Sequence, residues 1–273
     1  MVQKTFGIYN PETNSGNEQF YLELGNSHVA IWLKDSQSNV ISSFELFEYD
    51  AEMTPILANV IRDVKTISKI AKDYHPQVQV IWENSECLLV PTPYYEEKVS
   101  PHYLNIVFGN ALHAEVAGQN NTASQTAAVF RVPKSWKEAI LQYYPNAGFE
   151  HKYLGLFNSF TTDKQGLYAF FYRNHFILVV VKDRKVQLMQ TFNYQTPEDV
   201  LYYILNTCNQ YGLDYEKTPV RVAGLIDFKS SLYEEMVKYL PDVAVDTLPG
   251  NKVGKAFSDQ PVHYFVPFFK TTS

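Results

Sequence analysis

The residues with the clearest chemical potential are an acid and a glycine two positions apart, in Glu23-Leu24-Gly25-Asn26-Ser27. On a strand, positions 23 and 25 face the same way. Such a pair can aim hard carboxylate oxygens at a water-bound Mg²⁺ while the bare turn offers N–H groups to a phosphate. The plainer alternative is a half-exposed acid ahead of an ordinary turn. Other motifs carry less. Gly250-Asn251-Lys252-Val253-Gly254-Lys255-Ala256 is one residue short of a phosphate-binding loop, ends in Ala and stands too late to open a βαβ unit. GxSxG, HExxH and GxGxxG are absent. Glu96-Glu97 and Glu234-Glu235 are adjacent, so their side chains diverge and read as solvated faces rather than paired acids. His28 and His175 head two similar hairpins and are expected to face solvent or neighbouring Tyr. Cys87 and Cys208 lack a CxxC or a His-rich companion, which excludes a disulfide framework and argues against zinc. No catalytic residue and no metal site is expected.

The elements that must hold these residues follow a recurring order. After a polar leader, Asn10 to Asn17, Phe20–Leu24, His28–Leu33 and Val40–Phe47 read as an antiparallel meander. A helix follows, with Met53, Ile56, Leu57, Val60, Ile61, Val64 and Ile67 on one face. Val78–Trp82 is the next strand. The second half repeats the plan with strands at Leu167–Tyr172, His175–Lys182 and Lys185–Tyr194. Its helix starts from Thr196 as N-cap with Pro197 behind it, and Val220–Gly224 is the following strand. Further pieces are a strand at Ala127–Val132, a helix opening at Pro133, a helix from Ser230 to Tyr239 and a strand at Val243–Val245. Landmarks match at offsets of 145 (Phe47-Glu48-Tyr49 with Phe192-Asn193-Tyr194), 144 (Leu57 with Leu201) and 142 (Val78 with Val220).

Two copies of βββαβα predict an α/β chain with a duplicated ribonuclease-H-like plan, as in actin-like ATPases. The expectation is two mixed-sheet domains around a cleft, residues 1–150 and 151–273, each with a five-stranded sheet. Crossover helices impose parallel pairs and the meanders antiparallel ones.

The chain also resembles an uncharacterised family of the Bacteroidota, known as a domain of unknown function with an actin-like ATPase fold. The resemblance spans nearly the whole chain. It rests on Leu88-Leu89-Val90-Pro91, Tyr103-Leu104, Val129-Phe130-Arg131-Val132-Pro133, and His151 ahead of Tyr153–Phe160. It implies a fold rather than an activity. A similar degenerate plan occurs in cytoplasmic scaffold proteins of type IV pilus and type II secretion machines, an analogy of fold alone.

In an actin-like ATPase each half supplies an Asp-x-Gly hairpin for phosphate and Mg²⁺, and a Gly-Gly pair admits the adenosine. Here the first half keeps Glu23 and Gly25. The second offers Phe170-Phe171-Tyr172-Arg173-Asn174-His175, and Gly224 stands alone near the adenosine position. Cofactor-binding residues, if ATP and Mg²⁺ bind at all, are therefore Glu23, Gly25 and Gly224. The leading expectation is a non-catalytic binding or assembly (scaffold) module without cofactor. The alternative is an atypical ATP-binding switch or ATPase, and a cleft-bound small-ligand sensor is a third reading.

Composition agrees with a folded chain: 45% hydrophobic against 19% charged residues. Residues 1–150 carry 10 Lys+Arg and 17 Asp+Glu, a balance of −7, and residues 151–273 carry 13 and 12, a balance of +1. That distribution disfavours nucleic acid. Apolar runs such as Phe176–Val181 fall far short of the ~20 residues of a membrane helix, and no secretory leader is read, so a cytoplasmic location without membrane insertion is expected. Partners are a protein or another copy of the chain, with head-to-tail contacts favoured by the unequal halves. Twenty Tyr and eighteen Phe can serve core or interface; Tyr94-Tyr95 is the candidate contact, while Tyr264–Phe269 is a second that suits core packing better.

Overall fold

A computed structural model describes residues 1–10, 17–50, 57–122, 124–160 and 165–272. Two compact units divide it: Met1–Gly155 with Gly250–Asp259, and Leu156–Pro249 with Gln260–Ser273.

The first unit opens with strand β1 (Gln3–Ile8), followed by the meander β2 (Glu18–Leu24), β3 (His28–Asp35) and β4 (Ile41–Glu48). Helix α1 (Leu57–Ile67) crosses over to β5 (Val78–Trp82), which pairs parallel with β2. An insertion follows: β6 (Cys87–Pro91), helix α2 (Ser100–Phe108), β7 (Ala114–Asn121) and β8 (Thr126–Pro133), which form their own three-stranded sheet in the order β6-β8-β7. Helix α3 (Lys134–Tyr143) leads to the short β9 (Gly148–His151), parallel to β5. The main sheet runs β1-β4-β3-β2-β5-β9. It has six strands where five were expected, because Gln3–Ile8 pairs antiparallel along β4 instead of remaining a leader. Ala127–Val132 is a strand as read, but its partners are local ones in the inserted sheet.

Helix α4 (Lys152–Ser159) leads into the second unit, where β10 (Gly166–Phe171), β11 (His175–Lys182) and β12 (Lys185–Asn193) form the second meander. Helix α5 (Pro197–Gln210), β13 (Val220–Gly224), helix α6 (Ser231–Tyr239) and β14 (Val243–Val245) complete the sheet, in the order β12-β11-β10-β13-β14. Strand order and direction repeat those of β4-β3-β2-β5-β9: two antiparallel pairs, then two parallel ones. The chain then visits the first unit, where Ile41 and Val253 form a parallel bridge, and returns as a short helix α7 (Val266–Phe269) flanked by 3₁₀ turns.

Local chemistry accounts for the helix boundaries. Thr196 accepts from the Asp199 N–H while Asp199 accepts from the Thr196 N–H, a capping box that contributes about 1 kcal/mol. Ser230 caps α6 by accepting from the Tyr233 N–H. Most of each predicted helical face points inward: Leu57, Val60, Ile61 and Val64 in α1, and Val200, Leu201, Ile204 and Cys208 in α5, are buried, whereas Leu205 is half-buried and Ile67, read as the end of the α1 face, is exposed. Each buried aliphatic side chain contributes roughly 1.5–3 kcal/mol. Met53 and Ile56, read as the start of the α1 face, and most of the polar leader lie outside the described residues. No helix among the described residues is long and apolar enough to cross a membrane.

Candidate functional site

In sheets of this kind ligands enter beyond the carboxyl ends of the parallel strands. In the first unit that place is built from the ends of β2, β5 and β9. The β2–β3 turn is tight, with the Gly25 N–H donating to the His28 carbonyl at 3.0 Å. Glu23 is fully buried. Its Oε1 lies 3.1 Å from His28 Nε2, and its Oε2 accepts from the Lys152 ammonium, itself fully buried at the start of α4. The expected half-exposed Glu23 is thus corrected, and His28 turns to the acid rather than to solvent. The reason is non-local: β9 delivers Lys152 to Glu23 across 129 positions of sequence.

Glu83 closes the other side. Its N–H donates to the Leu24 carbonyl at 2.8 Å, and its side chain is buried. A Cβ at Gly25 would overlap the His28 ring and stand 2.9 Å from Glu83 Oε2, so any larger residue there would have to displace the His28 ring. The Tyr49 phenol donates to the Gly25 carbonyl at 2.5 Å; burial raises its pKa well above the usual value, and the Glu83 carboxylate adds to the rise. His151, the last residue of β9, accepts at Nδ1 from the Tyr153 N–H at 3.1 Å. Burial lowers its pKa to about 3, despite the nearby Glu83, so the ring is neutral at physiological pH.

The ladders of the second unit place each counterpart. Leu24 and Phe171 close equivalent parallel pairs, Leu24 with Trp82 and Phe171 with Gly224. The Tyr172 N–H donates to the His175 carbonyl as that of Gly25 does to His28, and the Leu225 N–H donates to the Phe171 carbonyl as that of Glu83 does to Leu24. Phe170 therefore stands for Glu23, Tyr172 for Gly25 and Leu225 for Glu83. His175 stacks on Tyr172 at 4.6 Å, the aromatic neighbour expected for it. Gly224 has φ +95°, and a Cβ there would collide with the Phe171 backbone and stand 2.9 Å from Pro267 Cγ.

This donor set does not fit a metal-bound triphosphate. Mg²⁺ needs carboxylate oxygens free to hold its waters. Both Glu23 oxygens are engaged, and the second unit has aromatic and aliphatic side chains where acid and open turn would be required. Among the described residues no cluster of three His, Cys, Asp or Glu side chains is arranged to hold a metal ion. A separate cavity of about 270 Å³ lies at the opposite end of the first sheet, lined by Lys65, Lys72, Tyr74, His75, Tyr143 and Tyr144 among others. Lys65 donates to the Ala71 carbonyl at 2.9 Å and lies 5.0 Å from the Tyr144 ring centre, and burial lowers its pKa.

The model of the family described as "Protein of unknown function (DUF3822)" matches residues 9–243. The chain belongs to this family. A solved relative in fold is a Bacteroides thetaiotaomicron protein with actin-like ATPase fold and unknown function. It is 16% identical, with 86% of this chain and 93% of that one aligned at a TM-score of 0.74. The PilM-PilN type IV pilus biogenesis complex aligns over 94% of this chain and 97% of its own at 12% identity and a TM-score of 0.58. No curated protein matches. This DUF3822 member accordingly has the actin-like ATPase fold expected from its duplicated plan.

Of the three residues singled out for nucleotide, the first unit brings Glu23 and Gly25 together, and Gly224 belongs to the second unit. Sequence reasoning missed Glu83 and Lys152. Each directly follows a strand of five or four residues, and an acid or lysine at such a point has no local signature. Tyr94 is exposed and Tyr95 half-buried, whereas Phe265, Val266, Pro267, Phe268 and Phe269 are buried, as core packing required. Glu96, Glu97 and Glu234 are exposed, and Glu235 pairs with Lys238 at 2.5 Å.

Proposed function

We propose that this protein is a non-catalytic member of the actin-like fold that works as a cytoplasmic binding or assembly module. The observation that carries the reading is the buried contact of Lys152 with Glu23. An ammonium fixed on the one retained acid supplies internally the positive charge that a nucleotide-bound cation would bring. The PilM-PilN structure is a complex in type IV pilus biogenesis, which supports a partner-binding use of a related fold. The charge balances of −7 and +1 in residues 1–150 and 151–273 favour contacts between unlike surfaces, in self-association or with a protein partner.

The test is a thermal shift with millimolar Mg-ATP together with a phosphate-release assay. A ligand at a hundredfold over its Kd stabilises by about 2.7 kcal/mol, which moves the Tm of a chain this size by several degrees. The expected result is a shift below about one degree and no phosphate release above background. A clear shift abolished in Glu23→Ala would replace this reading with the ATP-binding switch. A shift that survives Glu23→Ala would place nucleotide elsewhere in the chain.

A further inference from the structure

The second unit is assembled from two pieces of chain, Leu156–Pro249 and Gln260–Ser273, with Gly250–Asp259 between them belonging to the first unit. The last piece therefore reaches its sheet as a separate segment, tethered through Gly250–Asp259. It lies at the carboxyl ends of β10 and β13, where Phe170, Tyr172 and Leu225 occupy the positions that Glu23, Gly25 and Glu83 hold in the first unit, and the cradle is apolar rather than acidic. Pro267 is packed over Gly224, and the Phe268 ring meets that of Tyr172 at 5.6 Å. His263 Nε2 lies 3.1 Å from the Ile226 carbonyl, and its ring stacks on Phe228 at 4.6 Å. At the other end Lys270 pairs with Asp246 at 2.9 Å and lies 4.5 Å from the ring centre of Phe160. The segment consists of 3₁₀ turns and one four-residue helix, and Tyr264 donates its N–H within the segment, to Pro261. It belongs to none of the sheets. Side chains make these contacts, which is one of the ways a bound peptide is held.

We propose that Pro261–Thr272 is a tethered peptide ligand in a peptide-binding crevice of the second unit. The crevice reads an aromatic–Val–Pro–aromatic core between a His and a Lys. A partner peptide of that chemistry, apolar with proline and followed by a cation, enters when the segment leaves. Glycine at 224 gives the proline room, the Tyr172 ring receives the following aromatic, and Asp246 receives the cation. This goes beyond the non-catalytic reading and does not depend on it, since nucleotide binding is judged at Glu23 in the other unit.

Native-state hydrogen exchange on the full chain tests the proposal. Amides of Val262–Lys270 are expected to exchange at least about 100-fold faster than those of β11, through an opening that leaves the sheet intact. His263→Ala with Lys270→Ala removes both clamps without touching the sheet. It should raise the segment's exchange by about tenfold more and leave β11 within about twofold. A labelled synthetic peptide of residues 261–272 is the binding probe. It should bind the double variant at least about tenfold more tightly than the wild type, where the tethered copy competes at high effective concentration. Segment and β11 exchanging together in the wild type would overturn the proposal, because the segment would then be ordinary core. So would failure of the probe to bind either protein at millimolar concentration. The wild-type exchange experiment decides even if the double variant does not fold.

Discussion

Tyr49 and Tyr194 make the same hydrogen bond in the two halves of the chain. The Tyr49 hydroxyl donates to the carbonyl of Gly25 at 2.5 Å, and the Tyr194 hydroxyl donates to that of Tyr172 at 2.9 Å. Each follows the third strand of its meander and locks the turn between the first two, so the duplication extends to a side-chain contact as well as to strand order. Removing one hydroxyl should cost about 1–2 kcal/mol at Tyr49, which is buried, and about 0.5–1 kcal/mol at Tyr194, which is half-buried. Urea denaturation of Tyr49→Phe and Tyr194→Phe measures this. The two bonds share no partner, so the double variant should show the sum; a cost at Tyr194 above that at Tyr49 would contradict the burial argument.

The Lys152–Glu23 contact predicts a strong asymmetry between single and paired substitutions. Lys152→Met leaves a buried carboxylate without its ammonium and should cost about 3–5 kcal/mol. Glu23→Gln combined with Lys152→Met removes both charges and should recover more than half of that loss. Chemical denaturation of the wild type, Lys152→Met, Glu23→Gln and the double variant provides the cycle, and a double variant as unstable as Lys152→Met would refute it.

Glu150 and His151 are neighbours with opposite pH signatures. Burial raises Glu150 from 4.5 to about 7, partly countered by Lys152. The folded chain therefore holds a proton there that the unfolded chain has released, and stability falls as pH rises from about 4.5 to 7. Burial lowers His151 from 6.5 to about 3, so the unfolded chain takes up the proton first and stability is lost as pH falls through that window. Glu150→Gln should stabilise the protein at pH 8 by about 1–3 kcal/mol, with the gain vanishing near pH 4.5. In that variant the His151 loss below about pH 6.5 should stand alone. Denaturation midpoints across pH 4 to 8 measure both effects; an unchanged Glu150→Gln profile would remove the first.

Cys87 and Cys208 are both buried, and burial raises their thiol pKa, well above the usual value for Cys87 and to about 11 for Cys208. The thiolate is the reactive form. Labelling by a soluble disulfide reagent at pH 8 should run at least about 100-fold slower in the folded protein than in denaturant. Rapid labelling of the native chain would show that one of the two thiols is accessible.

The sequence by itself determined the two meanders, the helices α1 and α5 and the strands β5 and β13, because each is encoded locally. Alternation, three-four spacing, turns and the Thr196-Pro197 start are properties of a few neighbouring residues. Their repetition was enough to predict the duplicated plan, and the loss of acid and glycine from the second hairpin was visible in Phe170-Phe171-Tyr172. Only the tertiary structure decided what surrounds Glu23. Strand alternation assigns a side chain to a face, but burial and partners depend on which distant segment arrives there. Lys152 arrives through β9, whose four residues are too few to show a period. The same holds for Pro267 on Gly224, brought together by a segment that leaves its own unit and comes back. Chain connectivity and packing set both contacts, and neither leaves a mark in local sequence.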